Sequence, residues 1–302
     1  MTWLIIVILA HLFYALVFVI DKYILSRPLP HPIVYTFYVG ILSALILVLI
    51  PFGFSWPNSI EIFWILIAGA TNVAGLILFY KALNLGEVSR IVPFVGSFVA
   101  IFILILSGLL IGEKLTSQQL LGFALLVLGG LIIAIRRTAR QHWSEATAGG
   151  PLFIALASAL LFAIFWVITK YIFTIERASF INGLIWLRTG VAIVSLSLLL
   201  PRKNRQLIFR KTDELKPKTV GVFISGRVLG VIAALFMYLA VFLGSVTLTN
   251  SLQGLQYVFI LVLALLLFKK FPSFREEFGR EIIIQKIIAI MLIGLGLAIL
   301  VV

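Results

Sequence analysis

The chain has 302 residues, 62% of them hydrophobic and 12% charged, with a formal net charge of +13. Soluble domains carry about 45–50% apolar residues, so the polar side chains are too few to cover a surface of this size with water, and lipid is the implied solvent. Cysteine is absent, which excludes a disulfide scaffold or thiolate metal site, and the basic residues lie between apolar runs, which points to loops against anionic lipid rather than a nucleic-acid surface.

A hydrocarbon layer about 30 Å thick takes roughly 20 apolar residues of helix, and backbone in lipid must satisfy its own hydrogen bonds. On these two rules the predicted spans are 3–25, 32–52, 61–83, 88–111, 118–136, 151–173, 180–200, 219–243, 246–268 and 282–302. The expected fold is an all-α integral membrane protein of ten transmembrane helices, a multi-pass protein of the plasma membrane. The first run, Met1 to Ile20, lacks the basic start and cleavage site of a signal peptide and is read as a retained helix.

In the first span stand His11 and Tyr14, and in the third Asn72, single polar or amphipathic side chains that can face a solute or make a packing hydrogen bond. His11, His31 and His142 share no ligand spacing, so neither a metal nor any other cofactor is expected. After the fifth span, residues 138–150 combine charge, Ser/Thr and a Gly-Gly-Pro break, and are read as a linker between residues 1–137 and 151–302. In the sixth span Trp166 is a candidate cavity wall. The seventh and eighth spans contain Arg188 and Arg227, each costing at least about 2.5–3.5 kcal/mol in hydrocarbon unless it meets water, a partner or a ligand. They sit about 12 and 8 residues from the loop joining their helices, or roughly 18 and 12 Å, so one cavity can hold both and receive a carboxylate or phosphate; snorkelling or carbonyl capping is the alternative. The ninth span carries Asn250, Gln253 and Gln256 at three-residue intervals with Tyr257 beside them, read as one polar stripe that either meets solute or hydrogen-bonds a neighbouring helix. Gly226 and Gly230, with Gly129, Gly130, Gly294 and Gly296, predict close helix packing. Residues 271–286 predict a short amphipathic surface helix.

The two halves resemble each other. Asp21-Lys22-Tyr23-Ile24 answers to Thr169-Lys170-Tyr171-Ile172 at an offset of 148, Gly40 and Pro51 to Gly190 and Pro201 at 150, and Tyr80, Ala82 and Gly86 to Tyr238, Ala240 and Gly244 at 158. A duplicated unit with an odd number of helices enters the membrane the second time from the opposite side, giving two inverted five-helix repeats with a site between them near the midplane. Nineteen of the 24 Lys and Arg fall on one side of this arrangement, which the positive-inside rule makes cytoplasmic, with both termini outside. All eleven acidic residues stand at or near helix ends, which disfavours a carrier of organic cations.

Phe79-Tyr80-Lys81-Ala82-Leu83, Gly86, Pro93, Gly112-Glu113-Lys114-Leu115, Gln119 and Gly122 together resemble the EamA-like members of the drug/metabolite transporter superfamily. The resemblance implies a ten-helix inverted-repeat carrier with a central cavity, and gives Arg188 a basic position seen early in each repeat. The second half departs from the pattern: Ser251 replaces the proline, Lys269 or Lys270 stands near the glutamate position, and the following loop is expanded. Family members commonly keep both termini in the cytoplasm, opposite to the charge count. The expected function is secondary transport, mainly export, of a small neutral or anionic, amino acid-like metabolite by alternating access. The alternative is a translocase for lipid or lipid-linked sugar. A membrane-embedded enzyme is not expected, since no acid pair or Ser/His/Asp group can be assembled. Expected partners are the small-molecule substrate and membrane lipids, with no nucleic acid; a homodimer is compatible with the sequence.

Overall fold

The computed structural model describes residues 2–24, 31–86, 88–134, 150–176, 178–210, 217–267 and 280–301, and among these there is helix and no strand. In chain order the helices are α1 (Thr2–Ile24), α2 (Pro32–Leu42), α3 (Ser59–Leu85), α4 (Val88–Leu110), α5 (Ser117–Ala134), α6 (Pro151–Thr174), α7 (Phe180–Ser197), α8 (Arg202–Ile208), α9 (Pro217–Leu243), α10 (Val246–Ser251), α11 (Gly254–Leu267) and α12 (Arg280–Val301). Nine stretches of the described residues are long and apolar enough to cross a membrane, and a shorter apolar one, Val228–Leu243, lies within the 27-residue α9. Most of the predicted linker and residues 271–279 of the predicted surface helix lie outside the described residues.

Helix starts follow the local sequence. Pro32 and Pro151 occupy first-turn positions, where a missing N–H is no loss. Asn58 and Glu61 exchange backbone hydrogen bonds in a capping box that opens α3. Ser179 and Ser245 cap α7 and α10. Two predicted spans are not uniform helices. The second tightens after Leu42 into a 3₁₀ segment, Ser43–Phe52, ending at Gly53 with a φ of 159°. The ninth is cut between α10 and α11.

The packing is organised by α1 against α9, α3 against α6 and α7, α4 against α6, and α5 against α12. Glycines let two of these pairs approach backbone to backbone. A Cβ on Gly69 would lie 2.5 Å from the Gly190 carbonyl oxygen, and one on Gly190 2.7 Å from that of Ile65, so α3 and α7 touch through their main chains. In the same way a Cβ on Gly296 would meet the Gly122 carbonyl oxygen at 2.8 Å, joining α5 to α12. The sequence expectation of tight packing therefore holds at Gly129 and Gly296 but not at Gly294, which has nothing within 4 Å, nor at Gly230, whose nearest neighbour is Val17 at 3.9 Å.

Substitution of Gly190 by alanine forces apart two backbones rather than a flexible side chain, and overpacking of this kind costs about 1–3 kcal/mol. Thermal melts in detergent should show Gly190→Ala well below the parent and Gly294→Ala at or above it; equal melting temperatures for the two variants would refute the close α3–α7 contact.

Candidate functional site

The centre of the molecule is where three apolar clusters meet, and Trp166 of α6 packs against all three. Its ring lies 5.3 Å from that of Tyr238 on α9. Tyr238 is 3% exposed, and its hydroxyl makes no hydrogen bond of full geometry. Arg188 of α7 faces Tyr238 and the Tyr14 side chain of α1. One turn earlier on α1, His11 stands with its ring 6.4 Å from Tyr14 and is 2% exposed, with no hydrogen bond of full geometry at either ring nitrogen. His11 in turn lies beside the Thr249 main chain and the Gln256 amide. Arg188, Tyr14, Trp166, His11 and Gln256, predicted on four separate spans, thus form one continuous cluster with Tyr238 and Thr249.

The break in the ninth span supplies part of this cluster. Ser251 turns its hydroxyl onto the Leu248 carbonyl at 2.8 Å and Asn250 its amide onto that of Val246 at 2.9 Å, local bonds that compete with helix continuation. The Gln253 amide then bonds to the Asn250 carbonyl at 3.2 Å instead of reaching Thr249, and the Leu255 amide bonds to Leu252 at 2.9 Å. The Thr249 carbonyl is left without its helical amide, next to His11. Unwound backbone at membrane depth is tolerated where protein encloses it or a cavity takes it up, and such discontinuities are where carriers place their solutes.

The break also divides the predicted polar stripe. Asn250 is 3% exposed and satisfied within its own helix. Gln253 and Tyr257 face α4: the Tyr257 hydroxyl donates to the Val92 carbonyl at 3.0 Å, and both side chains crowd the face of Gly96, where a Cβ would come within 2.6 Å of Gln253 and 2.7 Å of Tyr257. Ser97, Gly130, Ser251, Gln253 and Tyr257 surround a space of about 10 Å³, room for one water. Only Gln256 of the series turns to His11. Half-buried Asn72 on α3 has no described contact tying it to the cluster. The Arg227 side chain lies outside the described residues, so its pairing with Arg188 stays an expectation. Among the described residues no group of three or more His, Asp or Glu is placed to hold a metal ion.

Sequence reasoning missed Tyr238 and Thr249. Tyr238 was visible as the partner of Tyr80 in the repeat, a signal of position without one of chemistry. Thr249 gave none, because its contribution is a carbonyl freed by neighbouring side chains.

Residues 1–135 match the model of the EamA-like transporter family, part of the drug/metabolite transporter superfamily. No curated protein matches the chain. Among solved structures, one described as the crystal structure of a protein aligns with 99% of this chain and 96% of its own, at a TM-score of 0.69 and 16% identity, a likeness of fold alone.

Tyr257→Phe should lower stability by about 0.5–1.5 kcal/mol, the net worth of one hydrogen bond, and Gln253→Leu should add to it less than independently, as neighbours sharing a contact do. Full additivity in a double-mutant cycle would show that the two side chains do not act together on α4.

Proposed function

We propose that this multi-pass membrane protein, a transporter of the drug/metabolite type through its EamA-like first half, carries small amino acid-like solutes by alternating access at the His11–Arg188 cluster. The observation behind this reading is where the unsatisfied polar atoms lie. Five buried side-chain atoms among the described residues make no hydrogen bond of full geometry; four of them are the two His11 ring nitrogens, which have only the Thr249 main chain and Gln256 in looser reach, the Tyr238 hydroxyl, which has only Arg188, and the Thr249 hydroxyl, and the fifth belongs to Thr36 on α2. Burying such groups unpaired costs free energy, and a solute that pairs them recovers it.

The two ends of the cluster differ in chemistry. Arg188 with the Tyr14 and Tyr238 hydroxyls offers donors and positive charge, suited to a carboxylate. The Thr249 carbonyl, the Gln256 amide oxygen and a His11 ring nitrogen offer acceptors, suited to an ammonium or hydroxyl group. Trp166 supplies a flat apolar wall between them. Zwitterionic solutes, and anions with a neutral polar end, match this polarity.

A ten-helix inverted repeat divided into residues 1–137 and 151–302, joined by 138–150, accounts for the packing. The α1–α9 contact has a counterpart in α6–α3, and the α1–α11 contact in α6–α4, while α2 packs on α7, α4 on α10 and α11, and α5 on α12. Exchanging the two quintets predicts these pairs, whereas the α3–α7 contact has, among the described residues, no counterpart of comparable extent between α9 and α2. Rocking of one quintet against the other then exposes the shared cluster to each side in turn. The face bearing Arg202, Lys203 and Arg205 is the cytoplasmic one on this reading. The family match favours a solute carrier over the lipid translocase.

The test is thermal stability of the purified protein against the twenty amino acids, with their decarboxylated and deaminated analogues. At 100 times its dissociation constant a true ligand adds about 2.7 kcal/mol. Arg188→Gln should weaken carboxylate-bearing ligands by roughly ten- to a hundredfold, the worth of a charged hydrogen bond, and leave decarboxylated analogues unchanged. Stabilisation by no zwitterion or anion, or an Arg188→Gln protein that binds as the parent does, would discard the site.

A further inference from the structure

A second polar group lies away from the central cluster, on the face opposite the basic loops, and joins residues from both halves. Gly112, with a φ of +70°, turns the chain between α4 and α5 so that the Glu113 amide reaches the Ser107 carbonyl at 3.2 Å. The Glu113 carboxylate accepts a hydrogen bond from the Thr247 hydroxyl of α10 at 2.8 Å, and Thr247 lies 2.9 Å from the Ser107 hydroxyl of α4. Thr247 and Ser107 are 0% and 1% exposed. Lys170 of α6 stands within electrostatic reach of Glu113. Its ammonium donates to the carbonyls of Val241, Phe242 and Gly244 at 2.9, 3.4 and 2.7 Å, closing the C-terminus of α9 where cationic charge is favourable.

We infer that Glu113, Ser107, Thr247 and Lys170 are the residues that close this face of the carrier, and that they bias its resting state toward access from the basic face. The inference rests on the two-quintet reading above. Glu113 and Ser107 belong to the first quintet, Thr247 and Lys170 to the second. A rocking motion that opens this face separates α4 from α10 and breaks a hydrogen bond to a charged group. The bond sits at the start of α10, one residue short of Leu248 and two before Thr249, so the contact that holds the face shut also sets the helix carrying the unpaired carbonyl beside His11.

The matching positions of the second half do not repeat these residues. By the repeat offsets Lys170 answers to Lys22 and Thr247 to Ser89, but near the position answering to Glu113 the second half has Lys269 and Lys270. At these sequence positions lysines stand where the other face sets a carboxylate against a hydroxyl and an ammonium. The family's Gly-Glu turn thus acquires a task in one half that the other half does not share, and the inequality gives the carrier a preferred side.

The chain has no cysteine, so a single Thr249→Cys reports access to the central cluster without interference. Rates of modification by a membrane-impermeant thiol reagent are measured from each face in right-side-out and inside-out vesicles, with no solute required. The parent reporter should react mainly from the basic face. Adding Thr247→Val or Glu113→Gln should raise the rate from the opposite face by about tenfold or more, as loss of a charged hydrogen bond does, while Thr247→Ser, which keeps the hydroxyl, should not. A parent that reacts faster from the Glu113 face overturns the inference, as do unchanged rates in both variants once size exclusion shows them folded. If Thr247→Val does not fold, Glu113→Gln alone decides. Because no ligand enters the assay, absence of amino acid binding would sink the substrate reading and leave this result standing.

Discussion

A peptide carbonyl within the hydrocarbon layer must find a donor inside the protein, and this constraint orders the rest of the structure. It makes every long apolar run a helix, and it makes each interruption of a helix an event that something else must compensate. In the ninth span, Asn250 and Ser251 bond to their own turn, and the Gln253 amide goes to Asn250. The Thr249 carbonyl is thereby exposed to the interior of the bundle rather than to lipid, opposite His11 on α1. Pro93 places a related gap in the α4 ladder by withholding an amide, and the Tyr257 hydroxyl reaches the same stretch at Val92. The two interrupted helices pack on each other, while the 3₁₀ segment Ser43–Phe52 lies apart against α7.

Rigid contacts surround this soft centre. The α3–α7 and α5–α12 pairs meet through main-chain atoms at Gly69, Gly190, Gly122 and Gly296, contacts that tolerate little sliding because no side chain lies between them. Polar bonds reinforce the second pair: Gln118 donates to the Ile299 carbonyl and Gln285 to that of Ile132. On the two-quintet reading both seams join one quintet to the other and mark lines about which the quintets pivot, whereas the Ser107–Thr247–Glu113 contact is a small set of hydrogen bonds that can break and re-form. The division between seams of backbone and a latch of side chains is what a rocking carrier needs.

Much of this was legible in the sequence, for stated physical reasons. Span positions follow from length and hydropathy, because lipid leaves the backbone one way to satisfy itself. The proposed repeat was read from matches such as Tyr80 with Tyr238 and Gly40 with Gly190. Arg188 stood out because a guanidinium inside a helix demands a reason. The polar stripe failed because it assumed an unbroken helix: with the break at Leu252 and Gln253, Asn250 turns inward on its own backbone, Gln253 goes to α4, and Gln256 alone meets α1. Lys170 gave no sign of its role, because hydropathy records where a chain ends its span and not which carbonyls an ammonium can reach.

The account stands on the claim that the cluster around His11 and Arg188 is the solute site. A structure determined with the amino acid that most stabilises the protein tests it directly. The solute's carboxylate is predicted at hydrogen-bond distance from Arg188 and its other polar end at the Thr249 carbonyl and Gln256, with Trp166 along its body. Density for that solute elsewhere, with the cluster unchanged, would contradict the account.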